Sequence, residues 1–600
     1  MQTENDNWIL SFVRIYLPRI PDEVLIQIFN LLPFGYLRNF FLYFPDDNIR
    51  NLIIHYYSQQ VHFVWSKAHF FLSTINFRFG KIFNRRTYEG SNFQNKEVFR
   101  FMDEFPEIVP RRLFVASEDV QYNPVNEVLK KFHNRIYNID EIGIYFSKCP
   151  ITIEDVDYVL SLQNLTELYF CGLVLTPIFT RLIDNLNLIN HPKLRKIVIS
   201  HAEDNDWSRI KLPETLKSLS FGNFLNGTNT SIVSFPITIQ QLSINRLDIR
   251  DLSHLKHRIS GCLTDLQLNL NRLERVLIDD LPPRLRVLDL SFNSSVKSIT
   301  CDDPEATWPV TLEKLILSCS GLDDNVLEMI NDNIGWPSNL IKLDLSLNKF
   351  TNINNLSNLP FGLQWLNLSN NRHIRVTENF QFSSQLKFLE MSGCVIDDIQ
   401  YLEFPSSLEQ LNLPGNQIRN ILSYRDWGKL DKLHTFGLWS NRITSLNKWF
   451  IPPNLNKLDL RGNRISTLSK GFPLFNKHYD FNIVDLNLGQ CKIKKIQIDY
   501  IPTSLTKVNL SRNKLSSTFL FPSAFKRLLH LDLSNNFLTS IVFENDNCKS
   551  CLSHLNLENN PILTGQKSPE HFQEFYDYLE SNLGKVTERA SNYIINFKRD

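Results

Sequence analysis

Leu340-Ile-Lys-Leu-Asp-Leu-Ser-Leu-Asn348 and, one interval further along, Leu363-Gln-Trp-Leu-Asn-Leu-Ser-Asn-Asn371 share one frame: apolar at the first, fourth and sixth residues, asparagine at the ninth. Working outward, the apolar part of this frame recurs seventeen times between Leu165 and Leu557, starting at residues 165, 194, 216, 239, 263, 285, 312, 340, 363, 386, 408, 433, 455, 483, 505, 528 and 552. The interval is nearly constant, and only the units that start at 165, 285, 312 and 455 are longer than the rest. All fifty-one framework positions are apolar in a chain that is only 42% apolar, so the frame is a property of the chain rather than of chance.

The alternation of apolar residues at the fourth and sixth positions places two side chains on one side of a short strand. One such unit cannot bury them, so neighbouring units must stack. A period of roughly 20 to 29 residues with this wording is that of a leucine-rich repeat. The fold expected is therefore an α/β repeat protein, a leucine-rich-repeat solenoid of about 17 repeats with a concave parallel β-sheet. From Leu263 onward the ninth position holds ten Asn, two Cys (Cys394, Cys491) and one Ser (Ser320), whereas the first four repeats carry Leu173, Ala202, Phe224 and Leu247 there. The N-terminal coils are accordingly expected to be less regular. Proline stands three residues before many repeats, as at Pro213, Pro282, Pro309, Pro337, Pro360, Pro405, Pro452 and Pro502. It forbids a helix running into the strand, so the outer face should be mostly extended. The longer units after Leu165, Leu312 and Leu455 have room for a helical turn.

Lys and Arg total 64 against 63 Asp and Glu, a net charge of +1 that argues against a general polyanion binder, so no nucleic-acid partner is expected. No apolar run approaches the roughly 18 residues of a membrane span, and the acidic start, Met1 to Asp6, is unlike a secretory signal. Nine scattered cysteines read as reduced thiols of an intracellular, cytoplasmic or nuclear protein. No phosphate loop, HExxH or nucleophile motif occurs, no cofactor or metal is implied, and the lone Cys548-Lys-Ser-Cys551 lacks a second pair. The chain is expected not to be an enzyme.

Before the repeats, Pro21-Asp-Glu23 opens a helix whose Val24, Leu25, Ile28, Phe29 and Leu32 share a face, and Pro33-Phe-Gly35 ends it. The order Ile20-Pro21-x-Glu23-x-Leu25, Ile28-Phe29, Leu32-Pro33 and Leu37 resembles the F-box, and an array following it resembles the F-box/leucine-rich-repeat family. Tyr36 stands where that family usually has an acidic residue. The resemblance implies a non-catalytic substrate receptor of an SCF-type cullin-RING ubiquitin ligase. Pro21, Leu25, Ile28, Phe29, Leu32, Pro33 and Leu37 would bind the Skp-type adaptor, and the repeats would hold a protein substrate. The other reading is a leucine-rich scaffold or regulatory subunit with no ubiquitin role, its N-terminal helices only capping the array.

The domains expected are an F-box-like helical domain at 1–60, a helical linker at 61–135 with helical runs at 62–72 and 125–132, the solenoid at 136–563, and a C-terminal helical cap and tail at 564–600. Ile139 to Ile144 reads as an additional degenerate repeat. On the sheet, the fifth position of the frame gives a polar column that includes Asp344, Asn367, Glu390, Asn412 and Asp459, and the third position carries Lys314, Lys342, Trp365 and Phe388. Trp365, Phe388, Trp439, Asp344, Glu390 and Asp459 are the candidate substrate-binding residues, since exposed aromatics anchor protein interfaces.

Overall fold

A computed structural model describes residues 61–65, 87–89, 112–117, 129, 136–147, 152–171, 190–200, 211–222, 235–256, 259–374, 376–468, 482–496, 504–521, 527–543, 552–564, 577, 579–580, 586–591 and 594–597. The F-box-like segment, with Pro21, Leu25, Ile28, Phe29, Leu32, Pro33 and Leu37, lies outside them. The chain divides into two compact units, one of residues 1–249 and 253–271, the other of 250–252 and 272–600.

Every one of the seventeen repeats carries a strand over its framework, and the array is a leucine-rich-repeat solenoid. In the second unit twelve strands, from Val287–Asp289 to His554–Asn556, pair parallel in repeat order. In the first unit Leu165–Cys171, Lys196–Ser200, Ser218–Gly222, Gln241–Asn245 and Asp265–Gln267 do the same. Of the fifty-one framework side chains, all but Phe170 are described, and those fifty are 3% exposed or less. At about 1.5 to 3 kcal/mol for each fully buried aliphatic side chain, this stack is the core.

The ninth residue fixes how successive coils meet. Asn416 donates from Nδ2 to the Leu413 carbonyl of its own coil (3.0 Å) and the Met391 carbonyl of the preceding one (2.8 Å). Its Oδ1 accepts from the backbone N–H groups of Cys394 (2.9 Å) and Ile396 (3.1 Å). The same three-way bonding recurs at Asn271, Asn348, Asn441, Asn463, Asn513, Asn536 and Asn560. Where Ser320 and Cys394 replace Asn, the Oγ and Sγ donate to the preceding coil's carbonyl, Leu290 at 2.9 Å and Leu368 at 3.1 Å, with longer contacts to Ser318 and Ser392 of their own coils, and lack the amide oxygen that accepts from the coil before. Leu247 at this position is simply buried, while Leu173, Ala202 and Phe224 lie outside the described residues.

The residue just before the ladder is left-handed in every repeat from Leu263 on, with φ from 53° to 72° at Leu270, Phe292, Cys319, Leu347, Asn370, Gly393, Gly415, Ser440, Gly462, Gln490, Arg512, Asn535 and Asn559. The sharp reversal is what aims the ninth side chain inward. For the non-glycine residues it costs roughly 1 kcal/mol, offset by the bonds of the ninth residue that follows. At the other end of the strand the repeat prolines close a turn: the carbonyls of Pro309, Pro360, Pro405 and Pro452 accept from Leu312, Leu363, Leu408 and Leu455 at 2.9 to 3.1 Å.

The return path is mostly extended, as expected. Short parallel outer strands pair Arg275–Leu277 with Ser298–Thr300 and Ser516–Phe521 with Phe537–Phe543. The long unit after Leu312 contains a helix, Asp324–Met329, capped by Asp323 accepting from Val326 N–H, and Gly335 at φ 64° ends its terminal turn. The extra space after Leu165 and Leu455 lies outside the described residues.

Two expectations are corrected. Helix was expected from residue 62, yet Val61–Trp65 is a strand, parallel to Thr87–Glu89 and Arg112–Ser117. Val61, Val64 and the aromatics Phe63 and Trp65 favour a pleated surface over a helix, and Arg112–Ser117 pairs with Glu141–Ser147, which pairs with Leu165–Cys171. The parallel sheet thus begins before residue 136, and Ile139 to Ile144 does contribute a coil. Leu129, inside the expected run at 125–132, is helical and fully buried. At the other end, helical Asp577, Leu579 and Glu580 fit the expected cap, but the tail is a hairpin of Val586–Ser591 and Ile594–Phe597 whose second strand pairs antiparallel with His554–Asn556. It covers the last strand's edge, which would otherwise present unpaired amides.

Asn416→Ala should cost about 2 to 4 kcal/mol in urea unfolding, because it strands buried backbone groups on two coils. Cys394→Ala, which removes one weak sulfur bond and little volume, should cost no more than about 1 to 2 kcal/mol.

Candidate functional site

The side chains of the strand face alternate with the framework, so the third, fifth and seventh positions of each repeat share one surface. In register across the second unit, Lys342 neighbours Trp365, which neighbours Phe388, and Asp344 neighbours Asn367, which neighbours Glu390 and then Asn412. All of these stand in the columns expected from the sequence, and the fold does bring Asp344, Trp365, Phe388 and Glu390 together on three adjacent strands. Trp365 and Phe388 are half-buried. Lys342 Nζ sits 3.8 Å from the Trp365 ring centroid, a cation–π contact that fixes the indole plane. Burial lowers the Lys342 pKa, with Asp344 opposing and Lys314 adding to the shift.

The polar column has a structural duty of its own. Oδ1 of Asp289, Asp344, Asn367, Asp459, Asn487, Asn509, Asp532 and Asn556 each accepts the backbone N–H two residues on, at 2.9 to 3.1 Å. This local turn ends the strand and explains the recurrence of Asp and Asn there. It leaves Asp344 and Asp459 with one oxygen to offer a partner. Asp344 Oδ2 accepts from Asn367 Nδ2 at 3.3 Å, so it is the more committed of the two.

Glu390 interrupts that pattern. Its longer side chain turns sideways along the column and accepts from Asn412 Nδ2 and, at 3.5 Å, from Gln410 Nε2. The next residue in register is Gly437, where an added Cβ would lie 2.5 Å from Asn412 Oδ1. A side chain there would push Asn412 off Glu390. Burial raises the Glu390 pKa against the opposing pull of those two hydrogen bonds, and burial likewise raises Asp289.

Trp439 and Asp459 form a second cluster. Trp439 is 37% exposed, with the Arg461 guanidinium 5.2 Å from its ring centroid, and the Arg461 N–H is the donor to Asp459. Phe388 and Trp439 are separated by the Gln410–Asn412 strand and sit in different columns, as the repeat frame places them. Lys342 and Arg461, each laid over a tryptophan, stand outside the six candidate residues read from the sequence. Their signal was position: each stands next to its indole in an adjoining repeat.

Among the described residues no group of three or more His, Cys, Asp or Glu could hold a metal, and no helix is long and apolar enough to cross a membrane. No family model matches this chain, and no curated protein is similar to it. Among solved structures it is similar to YopM of Yersinia enterocolitica (23% identity over 63% of this chain and 72% of YopM, TM-score 0.37). It is also similar to a leucine-rich-repeat protein of Leptospira interrogans (20% identity, 67% and 97% covered, TM-score 0.40). An internalin of Listeria monocytogenes follows at 18% identity, with 53% and 81% covered and a TM-score of 0.34.

The raised Glu390 pKa fixes a sign. Between the ordinary carboxylate value and the raised one, the folded state holds more proton than the unfolded, so stability contributed here falls as pH rises through that window. Glu390→Gln keeps an acceptor for Asn412 without the charge. Thermal melts should show the variant at least as stable as the parent at pH 7 and losing that advantage by pH 4.

Proposed function

We propose that the protein acts by binding another protein on the strand face of its second unit, around Lys342, Asp344, Trp365, Phe388 and Glu390. The observation that carries this reading is a pair of half-buried aromatics on adjacent strands, one held flat by a lysine, in a polar field of Asp, Asn and Glu. Pre-ordered aromatics lose little side-chain entropy when covered, and such residues with a polar surround are the anatomy of a binding hot spot. Trp439 over Arg461 supplies a second anchor on the same face. The work done is recognition rather than catalysis.

The finer reading is a substrate receptor of an SCF-type ubiquitin ligase. Its support is the order Pro21-x-Glu23, Leu25, Ile28-Phe29, Leu32-Pro33 and Leu37 ahead of the array. In such an assembly the adaptor and cullin would hold Pro21, Leu25, Ile28, Phe29, Leu32, Pro33 and Leu37, and the strand face would bring substrate near the ubiquitin-loaded enzyme, a contribution of proximity. A scaffold with no ubiquitin role uses the same face. An intracellular setting suits both, since Cys262, Cys301, Cys319, Cys394 and Cys491 are free thiols.

The test is co-purification of the full chain with a Skp-type adaptor, beside Ile28→Asp/Phe29→Asp. Retention by the parent and loss in the folded variant supports the ligase receptor; no retention by the parent leaves the scaffold. Independently, Trp365→Ser/Phe388→Ser should weaken capture of the partner at least about 30-fold, the scale of two hot-spot residues. Unchanged capture contradicts the proposed face.

A further inference from the structure

Immediately beyond the asparagine ladder, four consecutive repeats read Ser440-Asn-Arg-Ile-Thr-Ser445, Gly462-Asn-Arg-Ile-Ser-Thr467, Gln490-Cys-Lys-Ile-Lys-Lys495 and Arg512-Asn-Lys-Leu-Ser-Ser517. These stretches hold seven cations and no acid, in a chain whose charges otherwise balance at 64 against 63. The tenth position of the frame is Arg442, Arg464, Lys492 and Lys514 in turn. Backbone bonds hold these residues level: Arg464 N–H donates to the Ile443 carbonyl (2.8 Å), Lys492 to Ile465 (3.0 Å) and Lys514 to Ile493 (2.8 Å), each reaching the coil before it. At the roughly 4.8 Å spacing of paired strands, the four form a line about 14 Å long. Lys494, Lys495 and Arg512 flank it.

The row is open. Arg464, Lys492, Lys494, Lys495, Arg512 and Lys514 are exposed and Arg442 half-buried, and among the described residues none of the seven has a carboxylate in ion-pair reach. Seven like charges with no carboxylate partner among the described residues repel one another, so an anion laid along them is stabilised more than by any single exposed pair. The line has two defined ends. Gln417 precedes it, and in the coil after Lys514 the tenth position is Phe537, 58% exposed, whose N–H donates to Leu515 at 2.7 Å.

We propose that this row docks an extended acidic segment of a partner protein, with an apolar residue seated on Phe537. The cations lie in a line rather than converging, so they suit a run of carboxylates rather than one phosphate group. Five residues of extended chain span about 13 to 17 Å, matching the row. A single-stranded nucleic acid uses an aromatic platform for successive bases, whereas here the only aromatic at the tenth position of these coils stands at the end. The neighbouring strand face carries Asp459, Asp485 and Asp532, which would repel a broader polyanion. This site does not rest on the aromatic patch proposed above, which lies on other repeats.

Fluorescence anisotropy on the full chain tests it, with a labelled Leu-Asp-Glu-Asp-Glu-Asp peptide as probe. Beside it go a phosphoserine peptide of equal charge, oligouridine, and phosphatidylserine vesicles. The acidic peptide should bind best, more weakly at 200 mM than at 50 mM salt, and at least 10-fold more weakly to Arg464→Glu/Lys492→Glu. Phe537→Ser should weaken the Leu-bearing peptide several-fold and leave the peptide without Leu unchanged. If the charge-reversal variant melts early, Lys492→Gln/Lys514→Gln replaces it, with a loss of several-fold expected. Absence of binding to the folded parent, indifference to either charge variant, or tighter binding of the phosphopeptide, RNA or vesicles overturns the proposal.

Discussion

The second unit depends on one interaction repeated along its length: a buried asparagine side chain that satisfies carbonyls on two successive coils and an amide of the coil before. The framework leucines supply the larger part of the free energy, but apolar burial is non-directional and would tolerate coils slipping against one another. The amide cannot slip, because a buried acceptor left without its donor costs about 1 to 3 kcal/mol. Asn416 illustrates the point, joined to Leu413, Met391, Cys394 and Ile396 at once. Register along the array, and so the alignment of every exposed column, follows from this group.

That alignment is what turns scattered side chains into surfaces. Lys342, Trp365 and Phe388 are each a full repeat apart in sequence and neighbours in space, because each stands at the third position of its repeat. The same arithmetic carried to the position just beyond the ladder gathers Arg442, Arg464, Lys492 and Lys514 into a row. A solenoid therefore makes recognition surfaces by substitution at fixed positions, without altering the frame that holds them.

Most of the frame was legible because its residues are chosen by burial, and burial at a fixed period leaves a periodic mark. The ladder was legible for the same reason, with Ser320, Cys394 and Cys491 standing in at visible cost in hydrogen bonds. The left-handed eighth residue was not, since Leu347, Phe292 and Arg512 carry no sign of it; the conformation comes with the turn that buries the ninth residue, whether Asn, Ser or Cys. Nor was the strand at Val61–Trp65, whose run of apolar residues is too short for periodicity to separate helix from strand. The hairpin ending in Ile594–Phe597 escaped because its pairing with His554–Asn556 is a long-range fact. At the candidate site the columns were read correctly and their roles only in part: much of the Asp and Asn signal comes from strand-ending turns, while the cations over Trp365 and Trp439 are set by neighbouring repeats.

The most direct measurement of the central claim is native-state hydrogen exchange resolved to single amides. The amides that donate to ladder side chains, those of Ile396, Ile418, Ile443, Ile493, Leu515 and Leu538, lie beyond the short framework strands and would count as loop or outer edge by position alone. If the ladder holds the coils together, these amides exchange only through the same opening that releases the strand amides of Leu389, Leu411 and Leu458. If they exchange as fast as exposed loop amides while the strands stay protected, the asparagines decorate the fold rather than hold it, and the account fails.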